Sequence, residues 1–399
     1  MHKLLILGLT LLLTPNLQGQ TGETDPGRLD QIQAQRLEKS AHPRPEQVTF
    51  AEKAITEAGR FAGRIPIGVE IRGLGPGAGP TIVSARRWSS PGDRIVTRLG
   101  GFGTLHNFYN VGTGMEVRRF PTNNLSLGLE GLHADSPQLN YYGPGPNSSI
   151  HNQTDFRRED TLFDVRLNLQ AGTHPPQNCR LGELLLNVGP GTDSSLPTTE
   201  SVFGPSEAPG IDIQSNFLIG GCSVRADFRD FPEDPHKGIF VEAGYNRYSA
   251  QTHGQFSFHR VSGAAEQYIP FFNGKRVIAI RERTELSFHS SDQVVPFYLQ
   301  PTLASDTELR GFRRYRFYDE NLVALTAEYR WEINSALDLA LFVDGGEVFH
   351  RPNQFSFSKI ENSEGFGFIF KRHRATVARL DTGFSREGTR VWVRLNNIF

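Results

Sequence analysis

In the segment TLFDVRLNLQ, residues 161–170, Phe163, Val165, Leu167 and Leu169 alternate with Asp164, Arg166, Asn168 and Gln170. Successive side chains of an extended strand point to opposite faces, so this segment has one apolar and one charged face. The rhythm recurs along the chain. In LVALTAEYRWEI, residues 322–333, Val323, Leu325, Ala327, Tyr329, Trp331 and Ile333 stand opposite Thr326, Glu328, Arg330 and Glu332. NLSLGLEG sets Leu125, Leu127 and Leu129 against Ser126, Gly128 and Glu130. At the C-terminus, VWVRLNNIF puts Val391, Val393, Leu395 and Phe399 in one row, with Arg394 and Asn396 in the other.

A soluble β-sandwich alternates too, but its strands average ~5–6 residues. Several segments here run to about ten or more, the length that crosses a bilayer when tilted. Aromatic residues recur near segment ends, at Phe120, Tyr248, Tyr268, Phe271, Phe272, Phe288 and Phe349, as in the interfacial girdles of membrane barrels. The 41 Gly, 24 Pro and 29 Phe suit many strands and turns better than helices. Sixteen candidate strands fall between residues 66 and 398, an even number as in bacterial single-chain barrels. The expected fold is all-β: a transmembrane antiparallel β-barrel of sixteen strands over residues 66–399.

The N-terminus, MHKLLILGLTLLLTPNLQGQ, has a basic start at Lys3, an apolar core from Leu4 to Leu13, then Pro15 and small or polar residues. This is the layout of a cleaved signal peptide, assigned to residues 1–19, and it is too short to span a bilayer. Residues 20–65 are polar, with helical character on either side of Pro43 and Pro45, and read as a tail or short plug. No later apolar run reaches ~18 residues. The chain is therefore expected in the bacterial outer membrane, among outer-membrane lipids. Its two cysteines, Cys179 and Cys222, can pair after export, but the sequence shows no disulfide framework, so two unpaired thiols are the expected state. They have no histidine at ligand spacing, and the twelve histidines are scattered, so neither metal nor cofactor is expected. With 42 basic and 43 acidic residues, no nucleic-acid partner is expected.

The longest aperiodic stretch, SSDQVVPFYLQPTLASDTELRGFRRYRFYDEN, residues 290–321, contains LRGFRRYRF. Loops of this length are usually functional or disordered, and one so rich in Phe, Tyr and Arg does not have a disordered composition. Four arginines in nine residues would suit phosphate. If the loop folds into a lumen lined by charges, they would meet carboxylates instead, through the forked guanidinium. Two acids at lumen parity follow the loop, Glu328 on the next strand and Asp344 on the one after. Arg310 is the expected inward cation, Gly311 the tight turn beside it, and Phe312 the contact with the inner wall.

LRGF, then AEYRW, then FVDGG, then three strands and a terminal Phe resemble the bacterial surface antigen family, the BamA/TamA-type outer-membrane barrels. GPGAGPTI, YYGPGPNSS, LPTTESVFGPSEAPG and VPFYLQPTL fit the same pattern. The resemblance covers roughly residues 66–399. It implies that Arg310, Gly311 and Phe312 form an inward loop motif, with Glu328 and Asp344 as acidic partners. Phe342, Asp344 and Gly346 match the strand motif. Val391, Val393, Leu395 and Phe399 match the C-terminal signal read by the barrel assembly machinery, a partner for the chain's own insertion. It also implies a weak seam between first and last strands, through which client outer-membrane proteins would insert. Residues 20–65 are too few for the periplasmic modules of full assembly factors, so a barrel-only member is expected.

Three functions remain: assistance in assembling or inserting outer-membrane proteins, a transport pore or passive channel, and a structural or lipid-ordering barrel. Catalysis is not expected. Ser257 and Ser287 each lie two residues from a histidine, His259 and His289, but nothing completes a triad. GLGPGAGP at 73–80 lacks the lysine and helix of a phosphate loop and reads as a turn.

Overall fold

The alternating segments pair in chain order. The computed structural model describes residues 67–71, 80–88, 95–103, 108–170, 177–191, 199–372 and 375–395. The expected signal peptide, the polar segment 20–65, the glycine-rich turn at 73–79 and Phe399 lie outside the described residues. The first strands are β1 (Ile67–Ile71), β2 (Pro80–Trp88), β3 (Ile95–Gly103), β4 (Tyr109–Arg118), β5 (Leu125–Tyr141) and β6 (Thr154–Leu169). Next come β7 (Gln177–Gly191), β8 (Ser215–Asp227), β9 (Gly238–Ala250), β10 (Phe258–Phe271) and β11 (Arg276–Phe288). Two short strands, β12 (Thr302–Leu303) and β13 (Phe317–Tyr318), pair with each other inside the long loop. The chain ends with β14 (Asn321–Asn334), β15 (Leu337–Phe349), β16 (Glu361–Arg372), β17 (Ala375–Ser385) and β18 (Gly388–Leu395).

All but β12 and β13 join one sixteen-stranded sheet in sequential order, β11 pairing antiparallel with β14. The first and last strands approach within 8 Å between Cα atoms, with no hydrogen-bonded register between them among the described residues. The result is the expected up-and-down barrel.

Burial is inverted relative to a water-soluble sheet. Phe163, Leu325, Leu341 and Val343 are exposed, each at least half. The alternate residues Asp164, Glu328 and Asp344 are buried. A broad outward apolar surface around a charged interior is what a bilayer requires.

Connections fall alternately at two ends, and the longest lie at one of them, which also holds the two-residue turn 386–387. One end carries the turns 119–124, 228–237, 272–275 and 335–336, and the other carries the loops 142–153, 192–214, 251–257, 289–320 and 350–360. At the short-turn end, Phe120, Phe228, Phe231, Phe272 and Trp331 are exposed and form the aromatic rim. Three expected rim residues do not belong to it. Tyr268 is buried and donates from its hydroxyl to Glu266 inside. Tyr248 stacks on Phe258 at 4.3 Å, and Phe349 packs against Phe355.

The strand expected from the alternation in NLSLGLEG continues to Tyr141, paired through Tyr141↔Thr154. Alternation fades there because the outward residues become polar. His133 bonds Thr161 at 2.9 Å, and Asp135 accepts two bonds from Arg157. A ladder can outlast the bilayer, whereas the demand for outward apolar side chains cannot. At this end the loops share an aromatic core. Tyr141 makes edge contacts with Phe203, Phe297 and Tyr318, and its hydroxyl donates to Glu207 O at 2.6 Å.

Candidate functional site

The loop 289–320 carries Arg310 into the barrel. Its guanidinium is fully buried. Arg310 Nε donates to Asp344 Oδ2 at 3.0 Å, Nη2 to Asp344 Oδ1 at 2.8 Å, and Nη1 to Glu328 Oε2 at 3.1 Å. The Arg310 backbone N–H also donates to Asp344 Oδ2 at 3.0 Å. The two-point contact with Asp344 uses the planar fork of arginine, which a lysine cannot reproduce. Phe342 lies flat under the guanidinium, 3.3 Å from its carbon to the ring centroid. A Cβ on Gly365 would stand 2.5 Å from Phe342 Cζ, so the bare glycine makes room for that ring.

The acids are further satisfied by the wall. Asp344 accepts from Thr326 Oγ1 at 3.0 Å and Ser363 Oγ at 3.3 Å. Glu328 accepts from Arg330 Nε at 2.7 Å and Arg379 Nη1 at 3.0 Å. Asp381 accepts from Arg379 Nε at 2.8 Å and Arg394 Nη2 at 2.8 Å, and lies 3.7 Å from Arg310 Nη1. Four arginines and three carboxylates thus share one buried network, in which each ion's desolvation is offset by several charge-assisted bonds. Arg379 and Asp381 stand at lumen parity in ARLDTGF, so the alternation rule marks them once that segment is read as a strand.

Gly311 has a different role from the expected turn. The left-handed residue is Leu309, with φ 45°. A Cβ on Gly311 would lie 2.5 Å from Phe384 O, and one on Gly383 would lie 2.5 Å from the Arg310 carbonyl carbon. Two backbones touch here, and both glycines are there for close approach. Gly346 likewise admits Leu303 of the loop, whose Cδ2 would be 2.9 Å from an added Cβ. Phe312 is buried with Leu303, Leu309, Phe317, Leu322, Ala324 and Val348 against the inner wall.

The other loop arginines also find protein partners. Arg313 bonds Gln153, and Arg314 pairs with Asp306 at 3.2 Å. Arg316 is buried, donates to Glu387 at 2.9 Å and to Ser148 Oγ at 2.8 Å, and lies over Tyr142. The loop also grips the last hairpin. Trp392 Nε1 donates to Arg310 O at 2.7 Å, and Ser385 Oγ to Gly311 O at 2.8 Å. Val391 faces outward on β18, opposite in parity to Trp392, with Val393 on the same row. Leu395 pairs with Ala378. Elsewhere, Ser257 Oγ accepts from Ala250 N–H and Ser287 Oγ from Arg260 Nε, while His259 bonds Tyr245 and His289 bonds Glu320.

Known proteins share this architecture. BamA from Haemophilus ducreyi, in a form lacking POTRA domains 1–3, superimposes with a TM-score of 0.59 at 15% identity, over 82% of this chain and 68% of that one. CdiB from Escherichia coli matches with a TM-score of 0.52 at 14% identity, over 82% of this chain and 61% of that one. CdiB from Acinetobacter baumannii matches at 0.51 and 10%, over 82% and 59%. The chain thus spans about three fifths to two thirds of the length of these proteins, and at such identities the likeness concerns the fold. No curated protein sequence matches. The Omp85 superfamily domain matches residues 109–379, and the chain belongs to that superfamily, with a barrel whose fold is like that of BamA.

Proposed function

We propose that this chain is an exported outer-membrane barrel that assists the assembly or insertion of other outer-membrane proteins. The observation that carries the proposal is the loop's hold on the last hairpin. Arg310, Gly311 and Arg316 bind Trp392, Ser385 and Glu387. The free edge of that hairpin, β18, has no hydrogen-bonded register with β1 among the described residues. An unpaired edge is a template for an incoming strand. A loop latched to its hairpin can set whether that edge is held or released. The signal-like N-terminus supports export, and long loops are the extracellular side in barrels of this kind. The residues Val391, Val393, Leu395 and Phe399 then serve as the chain's own assembly signal. Deleting Phe399 should lower insertion while leaving export intact, and normal outer-membrane levels would reject that role.

Depletion of the chain should lower the outer-membrane levels of other barrels. A transport pore is the second reading, favoured by a polar cavity of about 470 Å³ on the inner face of β3–β6. Single-channel recording separates the two. The assembly reading expects small conductance that grows in Arg310→Ala. Large, steady conductance in the wild type, with other barrels at normal levels after depletion, would overturn it in favour of the pore.

A further inference from the structure

On the outer face of the sheet, Cys179 of β7 stands directly opposite Cys222 of β8. The two belong to one cross-sheet row, Leu127↔Leu167↔Cys179↔Cys222↔Tyr245. Tyr245 and Cys222 are exposed on the outside, so the two sulfurs share that face. Direct partners in an antiparallel pair have Cα atoms about 4.5–5.5 Å apart. A disulfide spans about 4.4–6.8 Å. Both residues carry free thiols here, within side-chain hydrogen-bonding reach of each other. The chain has two cysteines, so neither has a competing partner within the molecule.

The ladder around them is thin. The β7–β8 register shifts between Arg180 and Glu183, and again between Leu185 and Val188. On the short-turn side of the first shift the rungs are Asn178↔Ser223, Cys179↔Cys222 and Arg180↔Gly221. The connection between the strands runs through 192–214, so no tight hairpin holds their register.

We propose that Cys179 and Cys222 are joined as a cross-strand disulfide in the exported protein, stapling β7 to β8 beside the first break in their register. The two thiols lose two protons and two electrons as one S–S bond forms. The acceptor is the disulfide of a thiol-oxidase protein in the oxidising compartment, which is reduced to two thiols. The proposal rests on the export reading above.

The test is intact mass of protein extracted from cells into denaturant with N-ethylmaleimide, before and after reduction. The disulfide predicts no alkyl group before reduction and two after. An outer-membrane barrel that takes up two alkyl groups before reduction overturns the disulfide and leaves export standing. A chain retained in the cytoplasm overturns export, and the pairing is then read on the detergent-refolded barrel treated with diamide. There an intramolecular disulfide supports the pairing, and two alkylatable thiols or intermolecular dimers overturn it. Reduction should also lower the heat-modification temperature of the oxidised wild type. The same treatment should leave the Cys179→Ser, Cys222→Ser double variant unchanged, and an equal shift in both would reject the staple.

Discussion

On the inner face of β14–β17, charged side chains are buried and shared: Arg310, Glu328, Asp344 and Asp381 are each at most 2% exposed. On the inner face of β3–β6, glycines at 100, 112, 114 and 128 line a cavity, and the ion pairs Arg98–Glu116 and Arg166–Glu130 beside it are wet. The Arg98 side chain, paired with Glu116 at 3.3 Å, is 58% exposed. The same residue types therefore do different work. Where the loop excludes water, removing one charge strands the others in a medium that cannot solvate them. Where water enters, the same removal is nearly neutral. Glycines divide the same way. Those at 311, 365 and 383 make room for atoms that would otherwise collide, whereas an added Cβ on Gly114 would only touch Leu129 O at 3.6 Å.

The sharpest way to break this contrast is at the latch. Arg310→Ala or Asp344→Ala should each destabilise the folded barrel by about 3–5 kcal/mol, with the double variant adding little. Urea unfolding in detergent micelles reads the coupling, and additive losses would dissolve the pairing. Next comes backbone contact. Gly383→Val should cost about 1–3 kcal/mol by overpacking and expose the loop 289–320 to protease, while Gly114→Ala should leave both readouts near wild type. Equal effects would erase the distinction between the two walls.

A smaller effect, about 1–2 kcal/mol, is expected from pH at the loop mouth. Burial pushes the Asp319 carboxyl up to about 6, against the Glu320 backbone N–H and His350, which both pull it down. A carboxyl raised on folding holds its proton more tightly in the folded state. Its contribution is therefore greatest at low pH and declines as pH climbs from about 4 to about 6. Burial alone would lower the pKa of His289, but its bonds to Ser290 O and to Glu320 raise it above the ordinary value. Its contribution is present below about pH 6.5 and fades above that, so both groups act in one direction. Limited proteolysis of the loop should be slower at pH 5 than at pH 8, and Asp319→Asn should shrink the difference. The smallest effect is Arg98→Ala, at about 0–1 kcal/mol, measured in the same unfolding assay.

Much of the site was legible in parity. Glu328 and Asp344 announce themselves as acids on the charged face of long alternating strands, and the arginine-rich loop beside them calls for carboxylates. Arg379 and Asp381 obey the same rule. Trp392 shares the face of Arg394, but its bond to the Arg310 carbonyl cannot be read from its own strand, because the partner lies far away in sequence and on a loop. Gly311 is instructive for the same reason. Its neighbours in sequence suggest a turn, while its neighbour in space, Phe384 O, explains it.

By itself, the sequence determined the number of strands and, where alternation is clear, which face of a strand is apolar and which is charged, because period-two alternation is a local property of each segment. Only the tertiary structure decided where the loop goes, which charges share partners, which aromatics turn inward, and that Cys179 faces Cys222. Those depend on register and on contacts between segments far apart in the chain, and no single segment carries that information.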